Sequence, residues 1–173
     1  MYLKSQDRRT FELKIRVLSG GLLSTIQDMG RWGFQAMGMP VAGAMDLYSL
    51  MIGNILSGNH ENEACLEITI QGPDLEVVQG EGLLSCTGAD LGFMINNRPC
   101  PLWHSITVTS GDHISFSPSC SKGCRSYLCF SGGIDVPPVM NSRSTYLRGG
   151  IGGMDGRAIK SGDILETGPL PAL

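Results

Sequence analysis

The chain has 173 residues, 24 of them glycine, and a formal net charge of −3, which leaves room for one packed domain with a core of its own. Lysine and arginine are scattered without a basic block, which excludes the electrostatic footprint of a nucleic-acid binder. No apolar run approaches the roughly 18 residues of a membrane-crossing helix, and the opening "MYLKSQDRRTFELK" lacks the apolar core of a signal peptide, so a soluble, cytoplasmic protein is expected.

In chain order, residues 1–12 read as a polar extension and residues 13–173 as a single domain. A first strand is expected at "LKIRVL" (Leu13 to Leu18). In "CLEITI" (Cys65 to Ile70), alternation puts Leu66, Ile68 and Ile70 on one face, with Glu67 and Thr69 on the other. "DLEVV", "GLLSCT", "GFMIN", "SITVTS", "HISFS", "RSYLCFSG" and "DILET" continue the pattern, separated by turns such as "QGP", "NNRP" and two "SGD" units. So many short strands at this spacing predict a mainly β barrel or sandwich.

One helix interrupts the strands. In "MDLYSLMIGNILSGN", Asp46 is the expected N-cap, Met45 and Leu50 occupy the positions of a hydrophobic staple, and Gly58 ends the helix. Leu47, Leu50, Met51 and Ile55 are the expected apolar stripe.

The six cysteines read as reduced thiols. Cys65, Cys86 and Cys129 lie in or beside apolar runs, where free cysteine behaves as a small hydrophobe. Cys120 and Cys124 form one C-x3-C with no second pair to complete a zinc site, so no metal is expected.

Three polar, glycine-rich clusters remain. The first is the long loop "TIQDMGRWGFQAMGMPVAGAMD" (Thr25 to Asp46), which carries Gln27, Asp28, Arg31 and Gln35. A loop of this length is usually functional or disordered, and its Trp32, Phe34 and methionines argue against disorder. It either lines a site or is braced by an Asp28–Arg31 pair. The second cluster is "TGAD" (Thr87 to Asp90), where a strand delivers a carboxylate onto a glycine hinge or Asp90 closes an Asx-turn. The third runs from Asn141 to Arg157 and joins Ser142, Ser144 and Thr145 to three arginines and paired glycines, a composition suited to a carboxylate or carbonyl pocket. It is not a Walker A loop, and no G-x-S-x-G elbow occurs. His60, His104 and His113 all fall outside the clusters. Asp28, Arg31 and Asp90 are therefore the candidate catalytic residues. Gln27, Thr87, Ser142, Arg143, Ser144, Thr145 and Arg148 are the candidates for holding a substrate.

The blocks "GLLSTIQDMGRWGFQAMGMPVAGAMD", "GNILSGN", "CLEITIQGP", "TGADLG", "SYLCFSGGIDVPPVMNSRSTYLRGG" and "GGMDGRAIKSGD" follow one another in a familiar order. From about Leu18 to Gly168 the chain resembles the biotin-dependent carboxyltransferase-like family, also called allophanate hydrolase subunit 2, which includes the C subunit of 5-oxoprolinase. The resemblance implies a cyclophilin-like β-barrel and a match to the N-terminal half of the family's chain. It implies partnership with the A and B subunits of 5-oxoprolinase, of which B is the sister in fold, with ATP consumed by the complex and no cofactor bound directly by this chain. It also implies two alternatives: carboxyl transfer from carboxybiotin, as in urea carboxylase, and a regulatory protein that antagonises a kinase inhibitor. The amidase chemistry in the name "allophanate hydrolase" has no residues here to support it. If the site is shared with other parts of the assembly, Trp32, Phe34, Met37 and Met39 are expected on an exposed face, with self-association as a result.

Overall fold

Period-two apolar patterning pairs the strands into two antiparallel sheets in the computed structural model, which describes residues 12–117 and 122–169. Residues 1–11 of the expected extension, Cys120 and residues 170–173 lie outside the described residues. The strands are β1 (Lys14–Ser19), β2 (Leu23–Gln27), β3 (Cys65–Thr69), β4 (Asp74–Gln79), β5 (Glu81–Asp90) and β6 (Phe93–Ile95). They continue with β7 (Arg98–Pro99), β8 (Ile106–Thr109), β9 (His113–Phe116), β10 (Lys122–Phe130) and β11 (Ile164–Glu166). One α-helix, α1 (Leu47–Leu56), and two 3-10 turns (Gln35–Met37 and Leu147–Gly149) complete the described elements.

One sheet has the order β11-β1-β4-β9-β6-β7 and the other β2-β3-β10-β5-β8. The fold is mainly β, as the strand pattern predicts, but the wall of the expected barrel is two separate ladders rather than one closed sheet. Ile15, Val17, Leu75, Val77 and Ile114 from the first sheet meet Ile26, Leu66, Ile68, Leu84, Leu128 and Phe130 from the second in one core. Each such side chain contributes about 1.5–3 kcal/mol on full burial. Both "SGD" units form tight turns into the next strand: the Asp112 carboxylate accepts from the Thr109 N–H (2.7 Å) and that of Asp163 from the Lys160 N–H (2.9 Å).

Three local expectations are corrected. First, β3 ends at Thr69. Ile70 has φ +62° and is half exposed, so it leaves the apolar face that alternation gave it. Its N–H bonds the Cys124 carbonyl (2.9 Å) as the chain turns out of the sheet. Second, strand β2 occupies residues that the sequence reading assigned to the start of the long loop. Third, the hydrophobic staple does not form, because Met45 is 72% exposed.

The helix also turns an unexpected face inward. Asp46 caps it as expected, accepting from the Ser49 N–H (3.1 Å) and Oγ (2.6 Å), and Gly58 follows its end at φ +76°. Yet the buried positions are Ser49, Leu50, Gly53 and Asn54, while Leu47 and Ile55 face outward. The reason is the surface beneath. The outer face of the five-stranded sheet presents Ser85 and Thr87 on β5 and Tyr127 and Cys129 on β10, all buried. Thr87 Oγ1 donates to the Ser49 carbonyl (2.7 Å), Ser85 Oγ to the Gly53 carbonyl (2.7 Å), and Ser57 Oγ to the Cys129 carbonyl (2.8 Å). Small residues let the helix approach closely enough to make these bonds. A Cβ at position 53 would lie 2.6 Å from Cys129 Sγ and 2.9 Å from Thr87 Oγ1.

This packing can be tested at Gly53 and at the thiols. Gly53→Ala gains about 1 kcal/mol of helix propensity, but overpacking costs on the order of 1–3 kcal/mol. A net loss is expected, seen as a lower urea midpoint at unchanged slope. Cys65, Cys86 and Cys129 are buried and free, and burial pushes the Cys86 thiol up to about 12 and that of Cys65 well above its ordinary value. Mass spectrometry after iodoacetamide treatment at neutral pH should find exposed Cys124 labelled in the native protein. Those three should label only after denaturation, when all six thiols are expected to react without reductant.

Candidate functional site

Strand β2 lies at the edge of its sheet, and an unpaired edge needs cover. The third polar cluster supplies it. The Thr145 N–H and Oγ1 both bond the Ile26 carbonyl (2.9 Å each), and the Ile159 N–H bonds the Ser24 carbonyl (3.0 Å). The 142–145 segment is thereby laid directly against Gln27 and Asp28. The two clusters read as separate in sequence are in fact one joint.

Asp28 is the centre of it. Its Oδ1 accepts from Ser142 Oγ (2.8 Å), Ser144 Oγ (2.5 Å) and the Gly30 N–H (2.7 Å), and its Oδ2 from the Arg143 N–H (2.6 Å). The Asp28 N–H in turn donates to Ser144 Oγ (2.9 Å). A carboxylate is acceptor-only and has room for about four such donors. The loop then doubles back: the Arg31 N–H bonds the Val41 carbonyl (2.8 Å) and the Ala44 N–H the Asp28 carbonyl (3.0 Å). Gly30 (φ +89°) and Gly43 (φ +88°) permit the close pass, since a Cβ on Gly43 would sit 2.9 Å from the Gly30 backbone.

Arg31 is fully buried and donates through Nη2 to the Ser144 carbonyl. Burial lowers its pKa, and the nearby Asp28 charge opposes that shift. The direct Asp28–Arg31 brace considered from sequence does not form, because four other donors surround Asp28. Gln27 joins the cluster through Nε2, which donates to Thr25 Oγ1 (3.0 Å) and the Thr145 carbonyl (3.2 Å).

Gln27, Asp28, Arg31, Ser142, Ser144 and Thr145 are thus brought together, and the remaining candidates are not. Thr87 is buried under α1 with its hydroxyl on Ser49. Asp90 closes a turn by accepting from the Gly92 N–H (2.9 Å). Arg143 enters the joint only through its backbone. Its Nε bonds the Val136 carbonyl (3.0 Å) and its Nη2 pairs with Asp135 at 3.5 Å. Arg148 is exposed on the 3-10 turn and makes no hydrogen bond or ion pair among the described residues. The two arginines therefore do not form a single anion clamp. Beside the joint, Pro137, Val139 and the turn at Gly150 to Gly156 line an open cleft of about 380 Å³.

Sequence reasoning missed a second anchor for the loop. Glu67 Oε2 accepts from the Met45 N–H (2.7 Å) and from the Tyr127 hydroxyl (2.8 Å), while the Asp46 N–H donates to that hydroxyl (2.7 Å). Burial and the Glu67 charge raise the Tyr127 pKa. Alternation in "CLEITI" correctly put Glu67 away from the core, and the cover over that face hid its role. Of the expected apolar face, Trp32 and Met37 are exposed, whereas Phe34 and Met39 are half-buried. Met45, Leu47 and Tyr48 extend the exposed surface.

The fold belongs to a defined class of domain. The family described as "Carboxyltransferase domain, subdomain A and B" matches residues 37–172, and the chain belongs to it. The chain is 39% identical over 150 residues to urea amidolyase from Lachancea kluyveri, across 86% of its own length and 8% of the relative's. It is 38% identical over 154 residues to the 5-oxoprolinase C subunit from Escherichia coli strain K12, across 89% of its length and 49% of the relative's. The crystal structure of K. lactis urea amidolyase superposes with a TM-score of 0.82 at 36% identity, over 95% of this chain and 10% of that one. The chain thus spans about half the length of the 5-oxoprolinase relative and a small part of the amidolyase.

Asp28→Asn tests the joint. The replacement removes a charge from beside Arg31 and turns an acceptor into a donor against either the Arg143 N–H or the Gly30 N–H and the two hydroxyls. A stability loss of about 2–4 kcal/mol is expected by chemical denaturation. A change under about 0.5 kcal/mol would show that the two loops hold together without it.

Proposed function

We propose that the chain is the N-terminal domain of a protein like the 5-oxoprolinase C subunit, contributing to ATP-dependent cleavage of 5-oxoproline to glutamate with the A and B subunits of that enzyme as partners. The observation that carries this reading is the joint between the Gln27–Arg31 loop and the Ser142–Thr145 segment. It sets buried polar groups beside an open cleft in a chain that aligns with about half of a 5-oxoprolinase C subunit. The joint contains no histidine, cysteine or lysine to act as nucleophile or general base. Its chemistry is that of holding and polarising a carbonyl with fixed donors. The exposed Trp32, Met37, Met45, Leu47 and Tyr48 supply a face on which the rest of the assembly, or a second copy of the chain, docks.

A second reading, carboxyl transfer from carboxybiotin to a urea-like acceptor, is favoured by the family description and by the similarity to urea amidolyase. It uses the same site, with carboxybiotin as co-substrate.

Mixing the chain and the remaining half of such a C subunit with the A and B subunits, then following ATP hydrolysis with and without 5-oxoproline, tests the first reading. Substrate-dependent hydrolysis with glutamate release is expected from the mixture, and no turnover from the chain alone. A mixture indifferent to 5-oxoproline overturns the first reading. Transfer of labelled carboxyl from a biotinylated carrier to urea would establish the second.

A further inference from the structure

Three buried polar atoms of the joint have no partner: Oε1 of Gln27 and Nε and Nη1 of Arg31. Gln27 is 6% exposed and Arg31 fully buried. A buried group left unsatisfied costs about 1–3 kcal/mol, more when charged, and native structures hold few of them. Both side chains are fixed from their other ends by successive carbonyls of one segment, Arg31 Nη2 by Ser144 and Gln27 Nε2 by Thr145. The Thr145 carbonyl can only accept, so the Gln27 nitrogen must face it and the oxygen is the open end.

A thin wall separates these groups from the cleft. Gly152 and Gly153 line it in left-handed conformations (φ +71° and +52°). A Cβ on Gly152 would collide with the Ser144 carbonyl oxygen and lie 2.8 Å from Arg31 Nη2, and one on Gly153 would collide with Thr145 Oγ1. Only glycine lets the turn lie this close over the guanidinium.

Charge then selects the ligand. Asp28 already serves as the negative group beside Arg31. A second negative group, exposed Asp155, lines the cleft and lies 3.9 Å from Arg157. A ligand carboxylate brought against Arg31 would be a buried charge without a counter-ion of its own, which is costly. A neutral carbonyl oxygen supplies the missing acceptor without that cost, and an adjoining N–H supplies the donor that Gln27 lacks.

We propose that Gln27 and Arg31 form an amide-recognition pair, in which Arg31 donates to the carbonyl oxygen of the uncharged amide group of a lactam or ureide and Gln27 Oε1 accepts from its N–H. The ligand enters from the cleft as the Gly152–Gly153 turn gives way. The inference rests on the substrate-holding role proposed for the joint and makes these two residues its specificity determinants.

Nuclear magnetic resonance on the chain tests it with 2-pyrrolidinone, N-methyl-2-pyrrolidinone and acetate as probes. Saturable shifts of the Arg31 Nε–H and of the Gly152 and Gly153 amides are expected with 2-pyrrolidinone. The N-methyl compound, which lacks the N–H, should bind roughly tenfold more weakly, equivalent to about 1.4 kcal/mol. Gln27→Met should remove that difference, and the unmodified chain keeps the test valid if the variant fails to fold. Acetate moving the Arg31 signal more than the lactam overturns the proposal. So does a long-lived internal water on Arg31 Nε–H with no response to any probe. Turnover of 5-oxoproline by the assembled complex with Arg31 unmoved by lactam would sink this inference alone. Lactam binding at Arg31 without turnover would sink only the proposed function.

Discussion

The four hydrogen bonds accepted by the Asp28 carboxylate are the constraint on which the rest of the site depends. They come from two loops more than a hundred residues apart in sequence: Gly30 on one side, Ser142, Arg143 and Ser144 on the other. A single acceptor-only group that satisfies four donors leaves little freedom to either loop. Where Asp28 goes, the Ser144 carbonyl goes, and with it the guanidinium of Arg31. The polar groups proposed to meet a substrate are thus positioned by a residue that has few lone pairs left to offer one.

A second polar layer lies under α1, and it works by a different principle. There the helix contributes backbone carbonyls and the sheet contributes hydroxyls, from Ser85 and Thr87. Neutral groups in such an arrangement stabilise modestly but carry a large penalty if mismatched. The helix is therefore fixed in register more by hydrogen bonding than by apolar area. Its N-terminus is pinned again at Tyr127 and Glu67, which also hold the end of the long loop. The loop is anchored by carboxylates at both ends, Asp28 and Glu67, and the exposed aromatic and methionine residues are carried between them.

Much of this was legible in the sequence. Alternation located most strands because burial on one face imposes a period of two. Asp46 and Gly58 marked the helix ends by their capping chemistry. The family was recognisable from its ordered blocks, and the polar clusters contained the residues of the joint. Three things were not legible. Periodicity reports apolar residues, so a helix that buries Ser49, Gly53 and Asn54 was given the wrong inner face. Composition cannot say where a side chain turns, so Arg143 and Arg148 were grouped although Arg143 is held by Val136 and Asp135. Glu67 looked solvent-facing because nothing local reveals that a loop from about twenty residues upstream will cover it.

The span between partners also has a kinetic meaning. Asp28 waits for Ser144 across a separation of 116 residues, and Leu13 donates to Thr167 across 154. Contacts this distant slow folding, because the entropy of closing the chain is lost before the contacts can compensate for it. On a ribosome, β2 emerges long before the segment that covers its edge. Until that segment arrives, the nascent chain carries an open strand edge and a buried-type arginine facing water. The carboxylate that organises the finished site is therefore made more than a hundred residues ahead of the hydroxyls that satisfy it.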